Sequence, residues 1–240
     1  MLISFFTAPA NGVVEYAEHH FRAALFNFTE YMGFPDDETD RRWQDLYNDY
    51  ATSVISEEEA KNLITPTLRI PGTAKYLVQL DVFHELHCLN DMRKLLYPER
   101  FDGIQNLTAA NGTVNRDTNM FRHWEHCVDS LRQTLMCHAD VSPIPFHINR
   151  PMDSGIFPRL ATTHTCRNFT KVQEWAREHS AGDFKYELEL EEAREIAAES
   201  GFDNSPEEDI EFLYDQFPGD PFFKYWREHP LPTVGSSSTE

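Results

Sequence analysis

Basic residues are scarce: 21 Lys and Arg face 40 Asp and Glu, leaving a formal charge of −19. Phosphate backbones need concentrated cations, so the composition argues against a nucleic-acid partner, and anionic membrane surfaces are disfavoured for the same reason. No window approaches the ~18 consecutive apolar residues of a spanning helix, so the chain as given is not expected to cross a bilayer. A glycine-rich phosphate loop is missing. The segment His84-Glu85-Leu86-His87 falls one residue short of the zincin His-Glu-x-x-His. Kinase and metalloprotease readings therefore fall away. Cysteine is also sparse, at four residues.

What is present suffices for a real core: 240 residues, 40% hydrophobic, 18 of them Phe, which fits one large domain with an appendage. Met1 to Ala10 is apolar without a basic flank and could be the remnant of a removed targeting or anchor segment. Residues 11–180 read as the main domain. Over 181–240, sixteen acids stand against four bases. Phe184, Tyr186, Ile210, Phe212, Phe217, Phe222 and Trp226 are nevertheless too many apolar residues for pure disorder. This stretch is expected to be an acidic helical appendage with a frayed end.

Local signals predict a mainly α fold with a small β hairpin. Residues up to Gly33 show no clean period. Pro35-Asp36-Asp37-Glu38 starts a helix carrying Trp43, Leu46, Tyr47 and Tyr50, and Ser56-Glu57-Glu58-Glu59 has capping-box form and opens a second helix through Leu63. Thr67–Ile70 and Tyr76–Val82 flank Pro71-Gly72 as a hairpin. Two longer helices follow, from Val82 to Tyr97, where Pro98 stops the first, and from Thr118 to Ala139. Residues 99–117 form an exposed connection that allows the two to pack antiparallel. Trp124, Cys127, Val128, Leu131 and Leu135 make the apolar stripe of the second. Prolines 143, 145, 151 and 158 impose an extended covering path, and a short helix ends near Trp175 and Ala176.

These two helices carry the same motif. His84-Glu85-Leu86-His87-Cys88 is repeated as His123-Trp124-Glu125-His126-Cys127, each followed by an apolar residue, Asn or Asp, and an Arg. Residues three apart on a helix share a face, so each helix offers two imidazoles, and two facing helices would offer four, as in carboxylate bundles that use the same spacing. A lone histidine is ordinarily a core or surface residue; two repeated pairs point to a metal. Four neutral imidazoles without an obligatory carboxylate favour copper or zinc. Structural zinc prefers thiolates, and copper can perform oxidation.

Cys88 and Cys127 follow a ligand by one position and so point about 100° away from it on the helix. They are expected to bridge each other, with Cys137 paired to Cys166; the rival reading makes Cys88 and Cys127 soft ligands or redox thiols. Asp91 is placed to accept the second ring N–H of His87, with Ser130 at the matching place after His126, although either can be an ordinary polar residue on a half-exposed helix. His147 and His164 are auxiliary candidates as extra ligands or acid–base groups. Asn27, Asn106, Asn111 and Asn168 begin Asn-x-Thr sequons, and with an even cysteine count they lean towards a secretory lumen, in the endoplasmic reticulum or Golgi.

At these residues the chain resembles the UstYa-like proteins of fungal secondary-metabolite clusters, which carry two His-x-x-His-Cys motifs. The likeness runs from about Ala10 to Trp175. It takes in Asp40-x-x-Trp43-x-x-Leu46, Val82-Phe83-His84-Glu85-Leu86-His87-Cys88-Leu89-Asn90, His126-Cys127-Val128-Asp129-Ser130-Leu131-Arg132-Gln133, Cys137-x-Ala139-Asp140 and His164-x-Cys166-Arg167. The resemblance implies a copper-dependent oxidase or oxygenase, with one or two copper ions and O2 as co-substrate. Such an enzyme would tailor a peptide or polyketide-type natural product by C–H oxidation, oxidative cyclisation or hydroxylation. A C–H halogenase on the same site is an alternative. So is a non-catalytic metal-binding partner in a homo- or hetero-oligomer with another such subunit. Members of the family usually begin with a transmembrane anchor, so the resemblance implies a full-length form held at the membrane by an N-terminal segment missing from this sequence, and residues 181–240 look like an addition.

Overall fold

The computed structural model describes residues 8–23, 28–64, 67–116, 118–148, 156–182, 192, 195–196 and 221–229. Its elements are β1 (Tyr16–His20), α1 (Asp37–Gln44), β2 (Thr52–Ser56), α2 (Glu57–Ala60), β3 (Lys75–Gln79), α3 (Asp81–Leu95), α4 (Asn119–His138), β4 (Phe146–Ile148), β5 (Ile156–Pro158), β6 (Thr163–Arg167), α5 (Phe169–Glu178) and α6 (Pro221–Glu228). The expected acidic appendage falls mostly outside the described residues, and Asn27 falls outside them; α6 is the appendage's one element with described bounds. No helix among the described residues is long and apolar enough to cross a membrane.

Among the described residues, helices mix with three two-stranded antiparallel sheets, β1–β6, β2–β3 and β4–β5, which is more β structure than one hairpin. The expected hairpin is half of what forms. Leu77 N–H donates to the Leu68 carbonyl at 2.9 Å and Ile70 N–H to the Lys75 carbonyl at 2.9 Å across the Pro71-Gly72 turn. The main partner of β3 is β2, paired from Thr52–Gln79 to Ser56–Lys75, and Val82 belongs to α3. Strands β1 and β6, from opposite ends of the domain, pair Tyr16 with Arg167 and His20 with Thr163.

Local chemistry sets the helix ends. Asp36 accepts the Thr39 N–H at 2.7 Å to start α1, which is shorter than expected and gives way to a 3-10 turn at Asn48–Tyr50. Ser56 and Glu59 close the expected capping box on α2. Asp81 in the first turn of α3 and Arg93 and Lys94 in its last complement the helix dipole. Thr118 caps α4 through the Phe121 N–H at 3.2 Å, and Ala139 ends it in the left-handed region at φ 32°.

The core lies between the segment around β2, the start of α3 and α5. It contains Ala10, Tyr47, Tyr50, Ile55, Phe83, Trp175 and Ala176. Phe83, 0% exposed, meets Tyr50 edge-on at 5.3 Å and Phe169 at 6.2 Å; burying one such ring contributes about 1.5–3 kcal/mol. Because Phe83 immediately precedes His84, core packing fixes the rotation of α3 and thereby the direction of its histidines. The expected stripe of α4 is only partly inward: Trp124 and Cys127 are buried, whereas Val128 and Leu135 are 56% and 74% exposed.

Candidate functional site

Helices α3 and α4 run antiparallel with their motif faces together. His84 lies against His126, ring centroids 5.5 Å apart, and His87 against His123 at 6.0 Å. Each facing pair therefore takes one imidazole from each helix. The sequence brings two neighbours together along a helix, and the packing adds one partner across it. His126 is exposed and the other three are half-buried. Burial, reinforced by the nearby His126 charge, lowers the His84 pKa against the opposing pull of Asp81, which favours the neutral ring that a metal requires.

The cysteines occupy the interior of the helix pair. Cys88 and Cys127 are both 0% exposed, and all four cysteines are free thiols, where two bridges were expected. The sulfurs also do not point away from the imidazoles. Cys88 Sγ is 3.7 Å from His84 Nε2 and Cys127 Sγ is 3.9 Å from His123 Nε2, because each cysteine stands four residues after the first histidine of its own motif and returns to that face. Counting only from the adjacent histidine hides this relation. Burial and the contact with Cys127 push the Cys88 thiol up to about 12, and burial raises Cys127 as well.

Asp91 reaches His87 as expected, with Oδ2 3.5 Å from Nε2, while its Oδ1 accepts from Lys94 Nζ at 2.8 Å. His87, Asp91 and His123 each offer one donor atom within 4.8 Å of the others, the one such group among the described residues. Ser130, at the matching position on α4, is half-buried.

Two acids escaped the sequence reading. Asp81 Oδ1 lies 3.8 Å from His84 Nδ1, a contact that its position three residues before His84 could have signalled. Glu85 accepts from the Thr134 hydroxyl at 2.5 Å. Burial pushes Glu85 up, the Thr134 bond pulls it back, and the Asp81 carboxyl adds to the rise. Both acids line a cavity of about 390 Å³ with Leu80, Val82, His138 and Phe169. The walls are mainly apolar, with acids on the side that adjoins His84.

Behind His87 runs a buried polar chain. Tyr47, 6% exposed, meets the His87 ring edge-on at 6.0 Å. Its hydroxyl accepts from Asn90 Nδ2 at 2.9 Å; Asn90 Oδ1 accepts from Arg93 Nε at 2.9 Å; and Arg93 Nη2 donates to Asp40 Oδ1 at 2.7 Å. The chain ties the motif helix to α1 and holds the imidazole from its non-motif side.

The remaining candidates sit elsewhere. His164, an auxiliary candidate for a ligand, has Asp140 Oδ2 2.6 Å from Nδ1 and Thr162 Oγ1 2.9 Å from Nε2, and Phe21 stacks on its ring at 3.8 Å. With both nitrogens committed, His164 clamps the end of α4 to the β1–β6 sheet. His147 pairs with Phe157 in the β4–β5 ladder. Cys137 is exposed and Cys166 half-buried. Among the sequons, Asn106 and Asn111 are exposed, while Asn168 is half-buried beside the start of α5.

Comparison with known families matches residues 5–179 to the family described as mycotoxin biosynthesis protein UstYa. The UstYa family oxidase phomYc' of Diaporthe leptostromiformis is 32% identical over 162 residues, covering 67% of this chain and 56% of the relative. The transacylase cctO of Talaromyces islandicus is 31% identical over 71% of this chain and 59% of its own length. The hydroxylase cctR of the same organism is 27% identical over 64% of this chain and 54% of its own length. The chain thus spans little more than half the length of these relatives. No solved structure matches.

Proposed function

The chain belongs to the UstYa family, and from that membership and its paired imidazoles we propose that it is a copper-dependent oxidoreductase tailoring a fungal peptide or polyketide-type natural product. The carrying observation is the convergence of His84 with His126 and of His87 with His123 from opposite helices. The donor set fits the metal. The rings are neutral nitrogen donors, and imidazole suits copper, while the Phe83 core and the Tyr47 chain fix the helix that carries two of them. His84, His87, His123 and His126 would hold the ion or ions. Bound copper would supply one-electron oxidation with O2 as co-substrate.

The chain's own residues supply the surroundings. The 390 Å³ cavity beside Asp81 and Glu85 would receive an apolar part of the substrate. Glu85, with its raised pKa, would be a proton donor or acceptor at that wall. Exposed sequons at Asn106 and Asn111 support placement in the lumen of the secretory pathway.

A second reading has one specific support. Leu89, Val128, Leu135 and Met136 on the motif helices are 43%, 56%, 74% and 66% exposed, a surface suited to a partner subunit, in which case the chain is a metal-binding member of a hetero-oligomeric oxidase. Oxygen uptake by the copper-loaded chain alone, with reductant and a candidate substrate, separates the readings. The metal itself is tested with the double variant His84→Ala/His123→Ala, which takes one imidazole from each facing pair. It should lose copper by metal analysis and its EPR signal; copper retained at wild-type stoichiometry overturns the proposal.

A further inference from the structure

We infer that Asp91 is itself a metal ligand, so that His87, His123 and Asp91 form a two-histidine, one-carboxylate site at one end of the motif that binds the first and tighter ion. The inference rests on the proposal that the imidazoles hold metal, and deepens it. A repeat packed antiparallel on itself has an approximate two-fold axis. His84 corresponds to His123 and His87 to His126, so the two facing pairs are equivalent by construction. Only the flanking residues break that equivalence. Four residues after His87 stands Asp91; four residues after His126 stands Ser130, which offers no carboxylate.

The geometry suits direct ligation. Two donors about 2.1 Å from a common ion at a tetrahedral angle are about 3.4 Å apart, and His87 Nε2 and Asp91 Oδ2 are already 3.5 Å apart. Lys94 occupies the other carboxylate oxygen, which fixes the group and leaves Oδ2 directed at the imidazole. The Asp91 side chain is 17% exposed; Lys94 meets its charge at Oδ1, and Oδ2 on the imidazole side remains an acceptor that a cation between the donors would satisfy. At the opposite end Asp81 touches His84 from a side chain that is 73% exposed and belongs to no such three-donor group. A set of two histidines and one carboxylate takes divalent ions more broadly than four imidazoles do, iron(II) included. The end near Asp91 should accordingly fill before the all-histidine end.

The test is stepwise titration of the full chain with copper(II), following stoichiometry by metal analysis and the first equivalent by EPR. Wild type should fill in two steps. Asp91→Asn should weaken the tighter step by more than about 100-fold, beyond the 10–100-fold typical of losing a hydrogen-bonding partner to a ligating histidine, and change the spectrum of the first equivalent. Asp91→His, which restores a donor, should keep the tight step with an altered spectrum and guards against a folding artefact. Ser130→Asp should tighten the second step. A loss of tenfold or less in Asp91→Asn with an unchanged spectrum overturns the inference and leaves the four-histidine proposal standing. Failure of wild type to take up copper removes both.

Discussion

Replacing Asp40 by Asn tests how far the candidate site depends on the buried polar chain behind it. The Arg93 side chain is 8% exposed and that of Asp40 19%. The guanidinium is otherwise held by Asn90 Oδ1 and by the rings of Trp43 at 5.3 Å and Phe101 at 5.7 Å, and its Nη1 is buried without a partner. The substitution keeps the shape and removes the counter-charge. Breaking a buried ion pair from one side costs about 3–5 kcal/mol, and the residual exposure of Asp40 together with the two ring faces reduces this to about 2–3 kcal/mol. For a chain of this size that corresponds to a fall in Tm of about 5–10 °C. Urea unfolding followed by tryptophan fluorescence measures the loss. The same substitution in an Arg93→Met background should cost less than about 1 kcal/mol, because the stranded charge is then gone. Burial pushes Asp40 up, but the hydrogen bonds and charges of Arg93 and Arg100 together outweigh it and hold the carboxyl below its usual 3.8. A carboxyl lowered by folding stabilises above its ordinary pKa and loses that contribution as pH falls through the folded value. The deficit of Asp40→Asn should therefore be full at neutral pH and shrink in acid. A loss below about 0.5 kcal/mol, or an equal loss in both backgrounds, would refute the account of Arg93 as a buried charge dependent on Asp40.

Two other outcomes are expected. Iodoacetamide should modify the exposed Cys137 in the native protein and reach Cys88 and Cys127, both 0% exposed, only after unfolding; native labelling of Cys88 as fast as Cys137 contradicts the packing, and a peptide joining Cys88 to Cys127 under non-reducing conditions contradicts the free thiols. Bonds from Ser142 and then His164 hold Asp140 down from 3.8 to about 2, so Asp140→Asn should be less stable than wild type at neutral pH, with the gap closing as pH falls across that interval. A stability difference that is the same at neutral pH and below pH 2 would sink the assignment of Asp140 as an ionised clamp.

What was legible in the sequence followed local rules. Ser56 announced its helix through capping chemistry, Pro98 marked the end of the first motif helix, and three-residue spacing put each histidine pair on one face. What was hidden depends on partners distant in the chain. Strand β1 is exposed along its whole length, so no alternation betrays it, and its pairing with β6 is closed from the other end of the domain by Phe21 on His164. Arg93 reads as a structural salt-bridge donor, and only the fold names Asp40 as its partner and stacks Trp43 on it. The direction of Cys88 is set by its i+4 relation to His84, which spacing counted from the adjacent His87 conceals.

The approximate two-fold symmetry explains why the repeated letters establish so much and why the unrepeated ones carry the remainder. His, His and Cys recur because an antiparallel pair presents them to their own counterparts, with the imidazoles in two facing pairs and the sulfurs meeting between the helices. Between the two histidines the copies diverge. Glu85 on α3 lines the cavity beside His84. Its counterpart Trp124 on α4 is 8% exposed and lies against Gly103, where an added Cβ would come within 3.0 Å of the indole. That contact seats the connection between the helices, and only a residue without a side chain admits it so closely. The same motif position thus lines the cavity beside Asp81 on one helix and seats the connection between the helices on the other. On the proposed reading, a substrate held in the cavity of about 390 Å³ would be oriented by Asp81, Glu85 and the apolar wall rather than by the repeated residues.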